Sequence, residues 1–273
     1  IGADINLYAP GKIFCNKFYN VGYDDYKSII EIGKKEDFIS SDKVFTASAQ
    51  FAHYTASLFA EFFKISYPKP EMINFCLDKV SYYKYFLENQ IPLPTTFFIK
   101  TKKEIIKKMS QYNSSNWFYL KSDFSKNPNY VYRINSKILN STEIYWGKDR
   151  YLRSCYILQE EYPGTSLRLN LYGSRFNVID FNSGKFTTKY NLELKKFKVI
   201  ETLKELIHFL GMTNWLMKFD IILNDKGFVV LDIGIDPPSR MLKKSIDNNI
   251  SFYKYYLDHY LKNEINYPAS LDQ

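Results

Sequence analysis

Hydrophobic and polar positions change their spacing several times along the chain. Apolar residues that recur every three or four positions predict helices at residues 46–63, 79–89, 103–109 and 198–210. Runs rich in aromatic and β-branched residues predict strands at residues 5–8, 95–99, 117–120, 130–134, 156–160, 167–172, 217–223 and 228–233. We therefore expect a mixed α and β fold.

Turn residues connect several of these segments. Asn224-Asp225-Lys226-Gly227 joins the last two strands and predicts a hairpin. Asn182-Ser183-Gly184 predicts another hairpin, between residues 176–181 and 185–190.

A proline-rich segment gives the best candidate for a domain boundary. Tyr67-Pro68-Lys69-Pro70 should interrupt regular structure, because proline restricts both itself and the residue before it. We predict an N-terminal α/β domain at residues 1–70 and a second domain at residues 71–273. The second domain should divide into subdomains at residues 71–155 and 156–273.

Composition narrows the class of protein. The 273 residues are 45% hydrophobic and 18% aromatic, which predicts a packed globular core and not a disordered chain. The net charge of +8 raises the possibility of a polyanionic partner. Lysines are scattered at helical spacing, however, which favours solvated helix faces, so we expect no nucleic-acid partner. Non-specific nucleic-acid binding stays the alternative, and a steep salt dependence would identify it.

Cysteine and histidine spacing excludes several site types. The three cysteines are few, odd in number and far apart, which argues against a disulfide framework or a CxxC metal site: Cys15, Cys76 and Cys155. We expect a reducing, cytoplasmic setting. The three histidines show no zinc-binding spacing: His53, His208 and His259.

Neither a membrane segment nor a signal peptide is expected. The longest apolar candidate, residues 51–63, is interrupted by His53 and Glu61. The chain begins with Ile1 and not Met, which leaves open whether residues precede it.

Two lysines lie at element ends. Lys79 follows Asp78 at a predicted helix start, where an ammonium and the helix N–H groups together suit an anion. An ordinary helix start is the alternative, because acidic residues favour that position. Lys121 follows the predicted strand Phe118-Tyr119-Leu120.

Two carboxylates lie on the strands of the last predicted hairpin. Asp220 and Asp232 are twelve residues apart, a spacing that can place both on one face. Asp232 interrupts an apolar strand, where a buried carboxylate needs a partner or a metal. Hard oxygen ligands on adjacent strands suit Mg²⁺ that bridges phosphates. Solvated surface charges beside a hairpin are the alternative.

The order of motifs from about residue 72 to residue 245 resembles the ATP-grasp superfamily. The resemblance is carried by four segments: Asp78-Lys79 followed by Ile91-Pro92-Leu93-Pro94, then Phe118-Tyr119-Leu120-Lys121, then Leu158-Gln159-Glu160-Glu161-Tyr162-Pro163-Gly164, and finally residues 218–240. It implies an α/β architecture of the α+β grasp type, preceded by a short pre-ATP-grasp domain. Residues 71–155 would form the nucleotide lid, and residues 156–273 the hinge and metal-binding part.

The resemblance also implies roles for individual residues. Phosphates would be held by Lys79 and Lys121. The nucleotide would be contacted at the hinge by Gln159, Glu160, Glu161 and Tyr162, and Mg²⁺ would be held by Asp220, Asp232 and Asp236. Lys218 and Arg240 would contact the transferred phosphate or the substrate carboxylate, for which a guanidinium fork is well shaped.

These roles predict an ATP- and Mg²⁺-dependent ligase that activates a carboxylate as an acyl phosphate and joins it to an amine. Amino acids or small peptide-like molecules are the expected substrates, and a homodimer is left open. The chain departs from the family pattern at several places, and three of them bear most on activity: a glycine-free segment at residues 123–129, Ser166 in place of a second hinge glutamate, and Gly234 in place of an asparagine. These departures favour an alternative, a degenerate domain that binds a nucleotide or a partner protein without catalysis.

Overall fold

The computed structural model describes residues 1–46, 50–123, 131–139, 155–172, 175–213 and 215–235. The helices are α1 (Tyr26–Lys35), α2 (Gln50–Phe63), α3 (Pro70–Leu77), α4 (Lys79–Glu88), α5 (Lys102–Met109), α6 (Asn191–Lys196) and α7 (Val199–Phe209), with a 3₁₀ helix at Pro10–Phe14. The strands are β1 (Gly2–Asp4), β2 (Phe18–Asn20), β3 (Thr96–Ile99), β4 (Phe118–Ser122), β5 (Val131–Ile134), β6 (Tyr156–Glu160), β7 (Thr165–Tyr172), β8 (Arg175–Asp180), β9 (Met217–Asn224) and β10 (Gly227–Gly234).

The larger of two four-stranded antiparallel sheets has the strand order β10-β9-β7-β8. Alternate residues of β7 point to opposite faces, so that Leu167, Leu169 and Leu171 are fully buried. These leucines share one core with apolar side chains of α3, α4 and α7. The other face of the sheet carries the polar residues of β7 and β9.

The smaller antiparallel sheet has the order β3-β6-β4-β5. Its core contains Phe118 and Leu120 of β4 together with Ile105 and Met109 of α5. The chain passes from this sheet to the larger one at Gly164, between β6 and β7, where φ is +151°.

The N-terminal part contains the parallel pair β1 and β2 and the helices α1 and α2. Phe59 and Ala60 of α2 pack with Ile29 and Ile30 of α1 in a separate small core. The proposed boundary at residue 70 stays a prediction. In the described ranges, no helix is long and apolar enough to cross a membrane.

Most of the predicted elements are confirmed. The helices predicted at residues 79–89, 103–109 and 198–210 are α4, α5 and α7. The strand predicted at residues 5–8 is wrong, because the side chains of Asp4 and Asn6 accept the backbone N–H groups of Asn6 and Tyr8 and form turns there.

The hairpin predicted between residues 176–181 and 185–190 is also wrong in its second half. β8 pairs with β7, and only an isolated bridge joins Ile179 to Phe186. Thr187 Oγ1 accepts the N–H of Lys189 at 3.1 Å, so a local turn replaces the strand before α6 begins.

Candidate functional site

The start of α4 lies against the end of β4. The Asp78 side chain accepts the N–H groups of Val80 at 3.0 Å and Ser81 at 3.4 Å, and the Lys79 N–H donates to the carbonyl of Asp123 at 2.8 Å. The expectation that these N–H groups face an anion is therefore wrong, since the protein itself uses them. Any anion contact from this helix start comes from the Lys79 ammonium.

That ammonium is buried and lies beside Asp232. Lys79 Nζ is 3.9 Å from Asp232 Oδ1, and the Lys79 side chain is only 4% exposed. The hydroxyl of Tyr82, one helical turn after Lys79, donates to the same oxygen at 2.6 Å. Burial, followed by the charge of Asp232, holds the pKa of Tyr82 well above its usual value. Tyr82 therefore remains a neutral donor to the carboxylate.

Lys121 lies on β4 of the small sheet, and its side chain reaches α4 and β10. Its Nζ donates to the Tyr83 hydroxyl at 2.6 Å and to the Leu231 carbonyl at 3.2 Å. The Tyr83 hydroxyl in turn donates to the Leu231 carbonyl. Burial also raises the pKa of Tyr83 well above its usual value. The predicted phosphate-binding lysines, Lys79 and Lys121, thus meet the same stretch of β10.

A β-bulge brings the two predicted metal-binding carboxylates together. The hairpin pairs Val230 with Ile221, and the next pair is Asp232 with Asp220, so Leu231 is the extra residue. The bulge takes the Leu231 carbonyl out of the regular hydrogen-bond ladder. This carbonyl accepts from Lys121 instead. Because directly opposite residues share a face, the Asp220 and Asp232 side chains lie on the same side of the large sheet.

Asp220 has a second neighbour on β7. Arg168 is directly opposite Asp220 in the register of β7 and β9. Arg168 Nε donates to Asp220 Oδ1 at 2.7 Å, and Nη2 donates to Oδ2 at 2.8 Å. Both carboxylate oxygens thus accept from one guanidinium, in the bidentate geometry of strong charged pairs.

The predicted catalytic residues are only partly described. Lys218 is two residues before Asp220 on β9, on the same face, and is opposite Gly234 and Asn170. Asp236 and Arg240 lie outside the described residues, as do residues 124–129 of the glycine-free segment.

The predicted hinge residues lie at the end of β6. Gln159 is buried, and its Nε2 donates to Thr96 Oγ1 at 3.0 Å. Glu160 Oε1 accepts from Asn116 Nδ2 at 3.0 Å. The Tyr162 hydroxyl lies 3.5 Å from Asn224 Oδ1, on the hairpin of the large sheet.

Glu161 is the most heavily bonded residue of the hinge. Its carboxylate accepts from Arg133 Nε at 3.0 Å, from Arg133 Nη2 at 2.8 Å and from the Tyr119 hydroxyl at 3.0 Å. The Arg133 guanidinium stacks over the ring of Trp117 at 3.9 Å. The bond from Arg133 is the main cause that lowers the pKa of Glu161.

The donor set is compatible with Mg²⁺ that arrives with phosphates. Mg²⁺ is usually bound by one or two carboxylates, with phosphate oxygens and water as further ligands. Asp220 and Asp232 supply two adjacent carboxylates, whereas the described residues contain no group of three His, Cys, Asp or Glu side chains that could hold a metal. Phosphate oxygens would therefore have to complete the coordination.

Three residues of this region were missed by sequence reasoning. Tyr82 and Tyr83 follow Lys79 by three and four positions, which is the spacing of one helix face, and that signal was available. Arg168 alternates with buried leucines on β7, which marks it as a polar-face residue. Its pairing with Asp220 depends on strand register and has no signal in the sequence.

Solved structures decide the fold. A D-alanine–D-alanine ligase from Bacillus anthracis superimposes with a TM-score of 0.67 and 14% identity, over 96% of this chain and 95% of that one. The chain has the ATP-grasp fold. An N5-carboxyaminoimidazole ribonucleotide synthetase from Thermotoga maritima gives a TM-score of 0.62 at 16% identity, over 90% of this chain and 64% of that one.

A third ATP-grasp structure is similar to this chain. An L-amino acid ligase from Bacillus licheniformis gives a TM-score of 0.62 at 12% identity, over 88% of this chain and 61% of that one. The chain thus spans less than two thirds of the length of two of these three proteins. No protein-family model matches the chain, and no curated protein matches it by sequence.

Proposed function

We propose that this chain is an ATP- and Mg²⁺-dependent ligase that activates a carboxylate as an acyl phosphate and joins it to an amine. The observation that carries the proposal is the meeting of Lys79, Lys121, Asp220 and Asp232 around β10 in an ATP-grasp fold. The D-alanine–D-alanine ligase that is similar to this chain is also solved in complex with ATP.

The lysines would orient the triphosphate. A phosphate is a polyanion, and two ammonium groups within reach of one strand favour its binding from two sides. Lys79 would approach from α4 and Lys121 from the small sheet, so the phosphate chain would lie between the two sheets. Lys218 would steady the transferred phosphate from the polar face of β9, and Arg240 would contact it or the substrate carboxylate.

The carboxylates would hold the metal. Asp220 and Asp232 would supply oxygen ligands, and Asp236 is proposed as a third ligand. When bound, Mg²⁺ would neutralise charge on the transferred phosphate and its neighbour. The Tyr82 hydroxyl would keep Asp232 oriented, because its bond to Oδ1 fixes one of the two carboxylate oxygens.

The hinge would receive the adenine and ribose. Gln159, Glu160, Glu161 and Tyr162 lie at the end of β6, where a strand edge can offer both a donor and an acceptor. Glu161 would act mainly through Arg133 and Tyr119, which hold its carboxylate.

The reaction would proceed in two displacements. A carboxylate oxygen of the first substrate attacks the γ-phosphorus of ATP, and ADP leaves. The amine nitrogen of the second substrate then attacks the acyl carbon, phosphate leaves, and the amine loses a proton. The protein contributes mainly positioning and charge neutralisation, as in other phosphoryl transfers. Amino acids or small peptide-like molecules are the proposed substrates.

The test is ADP release with Mg²⁺ and ATP across a panel of amino acids and small carboxylates. We expect substrate-dependent turnover that Asp232→Asn lowers by at least about 10- to 100-fold, because the metal site loses a charged ligand. Asp225→Asn is the matched control, since Asp225 is exposed in the turn of the same hairpin. Absence of ATP binding by calorimetry would sink the proposal.

A second candidate is a nucleotide-binding domain without turnover. The observation that favours it is the engagement of Asp220 by Arg168 and of Glu161 by Arg133, which occupies carboxylates that a ligase would use. Nucleotide binding in calorimetry without ADP release on any member of the panel would support this candidate.

A further inference from the structure

Four charged side chains form a line across the polar face of the large sheet and onto α4. Arg168 contacts Asp220, Asp220 is opposite Asp232, and Asp232 lies 3.9 Å from Lys79. The line contains two positive and two negative charges. Each carboxylate therefore has a cation on its outer side.

The ion pair between Arg168 and Asp220 is stronger than an ion pair on an exposed surface. The Arg168 and Asp220 side chains are 17% and 22% exposed, so water screens the pair only in part. Arg168 also lies over the ring of Phe181, 4.9 Å from its centroid, which fixes the direction of the guanidinium. Asp220 is thus held in one orientation by a group that is already in place.

The contact has a consequence for a divalent cation. A divalent cation that binds Asp220 without phosphates has to lie beside Arg168 and near Lys79. The positive charges of both side chains repel it. A triphosphate adds negative charge at the same place and offsets both repulsions. The metal should then bind well only together with the nucleotide.

We infer that Arg168 is a positioning residue that holds Asp220 and disfavours the binding of a divalent cation in the absence of nucleotide. This inference rests on the proposed function, because it assigns Asp220 to the metal. The cation would then enter the site as part of a metal–nucleotide complex.

The test measures binding of Mn²⁺ alone by calorimetry, with no nucleotide present. We expect Arg168→Gln to bind Mn²⁺ about tenfold more tightly than the wild type or better, because one nearby positive charge is removed. Lys34→Gln is the matched control, since it removes one positive charge from an exposed pair with Glu31 on α1. The double variant Arg168→Gln/Asp220→Asn should lose the gain.

Arg168→Met covers the case in which Arg168→Gln does not fold. It also removes the positive charge, so Mn²⁺ affinity should rise by about the same factor as expected for Arg168→Gln, and Asp220→Asn should still cancel the rise. Unchanged Mn²⁺ affinity in the folded variants would overturn the inference, as would a gain that survives Asp220→Asn. A separate titration of the wild type with ATP and Mg²⁺ tests the proposed function, so the two failures can be told apart.

Discussion

Glu161 shows how neighbouring strands control a single carboxylate. Arg133 on β5 and Tyr119 on β4 both donate to it, and the bond from Arg133 is the main cause that lowers its pKa. A carboxyl whose pKa is lower in the folded state stabilises the protein above its unfolded pKa of about 4.3. This stabilisation is lost as the pH falls through the folded pKa.

The prediction concerns the free energy of unfolding at different pH values. Glu161→Gln should be less stable than the wild type at about pH 6, and the difference between the two should shrink as the pH falls through the lowered folded pKa of Glu161, where the wild-type carboxyl becomes protonated. Urea unfolding at a series of pH values measures this difference. Arg133→Gln should reduce the acid dependence in the same way. A difference that stays constant with pH would contradict this assignment.

Only some of the contacts at this scale could be read from the sequence. Lys79, Lys121, Asp220 and Asp232 were singled out through the resemblance to ATP-grasp motifs, and the two aspartates also through their places in the last hairpin. The contact between Arg168 and Asp220 joins residues 52 positions apart, and it depends on a strand register that composition does not reveal.

At the scale of elements, the bulge in β10 decides the geometry of the candidate site. The turn after Asn224 sets a register that, continued without interruption, would place Leu231 opposite Asp220. The extra residue moves Asp232 into that position instead. The spacing of twelve residues allowed both carboxylates to lie on one face, but the bulge that places them there had no signal in the sequence.

Gly164 is an element-scale position where a side chain is poorly tolerated. Its φ of +151° is rare for other residues, and an added Cβ would lie 2.5 Å from the Leu223 carbonyl oxygen. Gly227 has a similar φ of +146° but no heavy atom within 4 Å of an added Cβ. Comparing substitutions at the two glycines therefore separates the free-energy cost of the backbone conformation from that of the steric clash.

We expect Gly164→Ala to lower the free energy of unfolding by more than Gly227→Ala, with a difference of about 1–3 kcal/mol. Urea unfolding of both variants measures it. The small and large sheets join at Gly164, so the clash should also disturb the hinge. Equal losses in the two variants would show that the backbone at Gly164 relaxes away from Leu223.

Elements with a long, regular pattern were the ones that sequence reasoning located well. The paired strands β9 and β10 and the helix α7 match their predicted ranges to within about one residue at each end. The helix α3 was missed, because its first residue, Pro70, was taken only as a chain break, although proline is well suited to the first turn of a helix.

At the scale of the whole molecule, the candidate site lies where hydrogen bonds connect the small sheet to the large one. Lys121 of the small sheet donates to Leu231 of the large sheet, and the Val230 N–H donates to the Pro92 carbonyl at 2.8 Å. A ligand held between Lys79 and Lys121 would contact both sheets. Its binding should therefore stabilise the folded chain as a whole and not one sheet alone.

This gives a prediction for the stability of the entire chain. ATP with Mg²⁺ at about 100 times its Kd should raise the free energy of unfolding by about 2.7 kcal/mol, because only the folded protein binds it. Lys121→Met should lose most of this increment. It also removes the donor to Tyr83 and Leu231, so each variant is compared with and without nucleotide. Lys103→Met, at an exposed position of α5, should keep the full increment. If Lys121→Met gains as much from ATP as the wild type, the phosphates do not bind between the sheets at Lys121.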